Sequence, residues 1–81
     1  MRLMPTIARI GPHRVLFYSN NGVEPPHVHV QRERRLAKFW LDPVALRSNS
    51  GFRAHELREL EELVIQNRCS WLEAWDEFFG R

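Results

Sequence analysis

The chain has little of what would mark it as cross-linked, membrane-spanning or highly charged. A single cysteine, Cys69, stands among 81 residues, so no internal disulfide can form and a stapled secreted scaffold is excluded. No apolar run approaches the roughly 20 residues that cross a bilayer as a helix. The start, Met1-Arg2-Leu3-Met4-Pro5, has neither an apolar h-region nor a cleavage pattern, so a soluble cytoplasmic protein with no membrane partner is expected. Charge of one sign is scarce as well. Twelve Lys and Arg against ten Asp and Glu give a formal +2, too small to mark a nucleic-acid binder by total charge, though it leaves room for a local basic face.

What is present suits one small packed domain: 43% hydrophobic residues fill a core, and 27% charged residues solvate the surface. The domain is expected over residues 5–81. Residues 1–4 read as a flexible extension, with Met4 an alternative translation start.

Turn chemistry divides the first half into short β-type runs. Gly11-Pro12 separates Thr6–Ile10 from Arg14–Tyr18, and Ser19-Asn20-Asn21-Gly22 closes the second run. Glu24-Pro25-Pro26 enters a third, His27–Gln31, stiffly. Arg32–Arg35 is a solvated charged turn, and Leu36–Leu41 is a fourth strand ended by Asp42-Pro43. Val44–Arg47 fits either a proline-led helix start or a strand. The alternation of Val44 and Leu46 favours the strand, with Ser48–Gly51 a loop.

From Arg53 the period lengthens. Leu57, Leu60, Val64, Trp71, Trp75 and Phe78 lie on one helical stripe, with Arg68 intruding and Leu63 outside it. Asn67 and the capping-box pattern Ser70-Trp71-Leu72-Glu73 would allow a division. The absence of Gly and Pro from 67–70 favours one long helix. Strands followed by helix predict an α+β fold: an antiparallel sheet of four or five strands with a long C-terminal helix packed on one face. The tract Trp71–Phe79 holds more rings than one small sheet face needs, leaving some for a protein interface such as a homodimer.

Strand alternation assigns the faces. Val15, Phe17, Val28, Val30, Ala37, Phe39 and Leu41 are expected against the helix. The other face then carries Arg14, Leu16, Tyr18, His27, His29, Lys38 and Trp40, with both imidazoles solvent-accessible. Rings interleaved with basic groups on an open sheet suit single-stranded RNA or another anionic ligand, through stacking and phosphate contact. An ordinary polar sheet face is the plain alternative. His27-x-His29 also suits chelation of a divalent metal, with His13, Glu24, Asp42 and His55 as candidate further ligands. Both histidines could instead serve a nuclease as acid and base, with Lys38 or Arg14 on the phosphate, or hold the ion of a metal-dependent hydrolase. Binding without catalysis is the favoured reading, and no catalytic residue is assigned. Cys69, helical and without a histidine nearby in sequence, reads as inert.

Several blocks resemble a known family. Met4-Pro5-Thr6-Ile7, Phe17-Tyr18-Ser19-Asn20, Pro25–Val30, Ala37–Pro43, Gly51-Phe52, Glu56-Leu57 and Glu73-Ala74-Trp75 are similar to small bacterial proteins of the domain of unknown function 4160, over Met4 to Gly80. The resemblance implies no particular activity. Genes of that family often sit beside a second small gene, in an arrangement like that of toxin–antitoxin pairs. This implies a protein partner encoded nearby and a nucleic-acid target. Where members often carry Ser after Gly-Phe, this chain has Arg53, which removes a good N-cap and predicts a frayed helix start.

Overall fold

A computed structural model describes residues 6–18 and 23–80. The chain folds as a five-stranded antiparallel meander followed by two helices, the expected α+β class. The strands are β1 (Thr6–Ile10), β2 (His13–Leu16), β3 (His27–Arg32), β4 (Arg35–Leu41) and β5 (Val44–Ser50), side by side in that order. The expected extension over residues 1–4 and the Ser19–Gly22 turn lie outside the described residues.

The ladder register fixes which side chains share a face, because directly opposed residues point the same way. Val15 opposes Val30, Val30 opposes Ala37, and Val28 opposes Phe39. Those residues, with Phe17 and Leu41, form the sheet side of the core, as alternation requires. Phe52, Leu60, Val64, Trp71 and Trp75 cover them from the helical side. Burying these side chains provides the main driving force for folding, at about 1.5–3 kcal/mol for each large one.

Several expected boundaries move: β2 starts at His13 and stops at Leu16, short of the expected Tyr18, and Arg32 and Arg35, expected in a turn, end β3 and open β4. The segment read as a loop from Ser48 belongs to β5 through Ser50, because β4 is long enough to pair it: Lys38 opposes Ser48 and Leu36 opposes Ser50. Asn49 then closes the strand end, its amide Nδ2 donating to Phe52 O at 3.0 Å and its Oδ1 accepting from Phe52 N at 3.1 Å. Gly51 follows at φ 99°, where an added Cβ would come within 3.1 Å of Arg35 Cγ.

The single long helix is in fact two, α1 (Ala54–Gln66) and α2 (Arg68–Phe79). Asn67 divides them by competing with the backbone, its Nδ2 donating to Leu63 O at 2.8 Å. Its own carbonyl accepts from Trp71 N at 2.9 Å and opens α2. The start of α1 is not frayed. Glu56 Oε1 accepts the Arg53 backbone N–H at 2.8 Å, and Glu56 Oε2 pairs with Arg35 at 3.1 Å, fastening the helix to β4. Arg68, out of place in an apolar stripe, reaches back to the sheet. Its Nε donates to Leu41 O at 2.8 Å and its Nη2 to Asp42 Oδ1 at 2.6 Å. Phe78, expected on the stripe, is exposed, because α2 turns it past the core that Trp71 and Trp75 fill; Ile65 of α1 is exposed as well. No described helix is long and apolar enough to cross a membrane.

Candidate functional site

Two cross-strand rows build the face away from the main core. One runs Leu16, His29, Lys38, Ser48; the next runs His27, Trp40, Ala45. Tyr18 follows β2 and sets its ring edge-on against His29, centroids 4.4 Å apart. His29 stands 5.3 Å from His27, and His27 stands 5.8 Å from Trp40, both pairs nearly perpendicular. The result is an unbroken run of rings, Tyr18–His29–His27–Trp40, in edge-to-face contact. Lys38 Nζ lies 4.9 Å from the centroid of Trp40, a cation–π arrangement.

The histidines share this face as alternation predicts, and Val28 and Val30 are buried on the other. The expectation that the imidazoles are solvent-accessible is wrong: His27 is 0% exposed and His29 9%. Trp75 of α2, a member of the main core, reaches His27 where β3 begins. Its ring stands 4.9 Å from His27 and 5.2 Å from Phe17. His27 Nδ1 sits 3.0 Å from Pro25 O. A carbonyl only accepts, so that nitrogen carries the proton and Nε2 is a bare acceptor. His27 Nε2, His29 Nδ1 and Trp75 Nε1 are buried with no hydrogen-bond partner among the described residues.

Burial governs the charge state. Desolvation holds the His27 imidazole below its ordinary range, opposed in part by the bond to Pro25. Desolvation, then the neighbouring His27 and Lys38, brings His29 down to about 4. At neutral pH the pair is therefore uncharged and serves as aromatic surface rather than as cations. Glu24, from the loop before β3, binds Lys38 Nζ at 2.5 Å and lies 3.7 Å from His27 Nδ1. The hydrogen bond from Lys38 keeps its carboxyl below the usual range.

The structure brings together Tyr18, His27, His29, Lys38 and Trp40. Arg14 lies on the same face but is held elsewhere, its Nε donating to Thr6 Oγ1 at 2.7 Å and its Nη1 to Gln31 Oε1 at 3.3 Å. The expected chelate finds no third ligand among the described residues. No group of three or more His, Cys, Asp or Glu among the described residues is placed to hold an ion. His13 packs near Phe52, Asp42 holds Arg68, and Glu24 is taken by Lys38.

Three contributors to this face do not follow from the sequence pattern. Arg9 opposes Arg14 and so shares its face. Arg47, at the β4–β5 bulge, adds its field to Glu24. Glu24 suggests itself in the sequence only as a metal ligand, although two prolines that turn the chain into β3 carry it onto the face.

Charge is divided between the layers. Between Thr6 and Ser50, Arg and Lys outnumber Asp and Glu seven to three among the described residues, whereas in the helices the carboxylates lead seven to two. The near-neutral total conceals a basic sheet and an acidic helical layer.

Residues 13–76 match the family described as Domain of unknown function (DUF4160). The chain is a member of the DUF4160 family. The match takes in four of the five strands in full and runs into α2, so both ring rows and their Trp75 wall fall within this DUF4160 domain. No curated protein and no solved structure matches the chain.

Proposed function

We propose that this DUF4160 protein is a small binding module whose sheet face takes a phosphate-bearing ligand, with single-stranded RNA the best-suited class. The observation that carries this reading is the ring run Tyr18–His29–His27–Trp40 with Lys38 against its last member, on the basic half of a charge-divided fold. Half-buried Tyr18 and Trp40 present surface on which bases can stack, and stacking tolerates any base. Lys38, Arg14, Arg9 and Arg47 supply the positive charge, while the neutral imidazoles stiffen the platform from beneath.

The reading extends to a protein partner. Family resemblance suggests one member of a toxin–antitoxin-like pair, and the acidic helical layer offers a surface, separate from the rings, for a partner encoded nearby. Catalysis is the less favoured reading. A histidine acting as acid or base must reach its substrate, and the unbonded nitrogen of His27 is enclosed by protein.

Titration of a short oligouridylate, followed by tryptophan emission with chelator present, tests the binding reading. Saturable binding without cleavage, retained in chelator, supports it. Cleavage abolished by His27→Ala would move the protein to the enzymes, and no binding of any kind would leave the protein partner as the function.

A further inference from the structure

Glu24 stands where a bound anion would be held. Its Oε1 is 2.5 Å from Lys38 Nζ, and that ammonium lies 4.9 Å from the Trp40 centroid. The two partners are held very differently. The Lys38 side chain is 15% exposed and rises from the middle of β4, fixed by pairing on both sides. The Glu24 side chain is 37% exposed and belongs to no strand. The chain is fastened just beyond it, where Leu41 N donates to Pro26 O at 3.0 Å, and Pro25-Pro26 make that anchor stiff. The carboxylate can therefore swing off Lys38 without disturbing the sheet. No second carboxylate pairs with Lys38 among the described residues. A phosphate oxygen carries the same sign of charge and takes the same donor.

We infer that the Glu24 carboxylate is a built-in competitor: it occupies the phosphate subsite at Lys38, and a phosphate of the ligand displaces it on binding. The inference rests on the reading of this face as a phosphate-binding surface and adds how its affinity is set. The exchange of one anion for another keeps Lys38 neutralised in both states. It selects against weak anions, since any ligand must displace a carboxylate that the anchored loop before β3 keeps close by. It also gives the ring platform a preference for ligands that both stack and present phosphate.

The test is a double-mutant cycle on the full chain with Glu24→Gln and Lys38→Gln, using two probes, inorganic phosphate and a short oligouridylate. Glu24→Gln should tighten oligouridylate by about three- to tenfold at low salt, because a neutral amide competes poorly for an ammonium. The gain should vanish when Lys38→Gln is also present. Tightening of both probes assigns the subsite to phosphate from any source. Tightening of oligouridylate alone assigns it to phosphate on a stacked strand. Wild-type binding that Glu24→Gln leaves unchanged overturns the competitor and spares the binding reading. A gain that persists without Lys38 also overturns it, since the effect is then general charge. Failure of wild type and variant alike to bind either probe overturns both readings.

Discussion

The imidazole of His27 stands 4.9 Å from the indole of Trp75, centroid to centroid, although the two belong to different layers. Trp75 is 0% exposed and also meets Phe17 and Phe79, so one ring ties the C-terminal helix to both the core and the histidine row. Trp75→Ala should therefore cost on the order of 3–5 kcal/mol, with Trp75→Phe recovering part of it. Chemical denaturation reads this directly. A midpoint that barely moves would place the ring at an interface instead.

Acid should loosen the same region. Both histidines are held below the ordinary value of 6.5, His29 at about 4, so the unfolded chain takes up more protons than the folded one between those limits. Stability is then full above the unfolded value and falls as pH drops from 6.5 toward 4. His29 alone accounts for on the order of 3 kcal/mol of that loss over the whole window. His29→Phe should flatten the pH dependence of unfolding across this window. An unchanged slope would mean that the imidazole is not held neutral.

Arg68 should act as a clamp between the start of α2 and the end of β4. Arg68→Met keeps the aliphatic stem but leaves Leu41 O without its donor, and should cost about 1–2 kcal/mol. Asp42→Asn should cost less, since the carboxylate is 63% exposed. Equal losses from the two variants would place the clamp in the ion pair rather than the carbonyl.

The main core was legible because alternation is a strict rule: Val15, Val28, Val30 and Phe39 face inward and the histidines outward. Arg68 and Asn67 were harder. An arginine in an apolar stripe signals imperfect amphipathicity, but its partner, the carbonyl of Leu41, is set by tertiary packing. Asn67 is a recognised helix terminator, yet whether its amide turns onto Leu63 O is decided by the packing of both flanking helices. The burial of His27 was not legible either. Period-two logic gives the face a side chain points to, not which ring of a distant helix reaches it. Glu24 escaped for a related reason, because loop residues carry no period at all.

Whether the ring-and-cation face binds single-stranded nucleic acid is decided by titrating a short oligouridylate at two salt concentrations. Three proteins are needed: wild type, Trp40→Ala and the pair Lys38→Gln with Arg14→Gln. Affinity should fall log-linearly with salt, and Trp40→Ala should weaken it by about 1–3 kcal/mol at an unchanged slope. The doubly neutralised protein should show a shallower slope, chiefly through the loss of Arg14, because a phosphate at Lys38 replaces the Glu24 carboxylate. Binding that is equally strong in all three proteins, or absent at low salt in the wild type, would contradict a nucleic-acid-binding face.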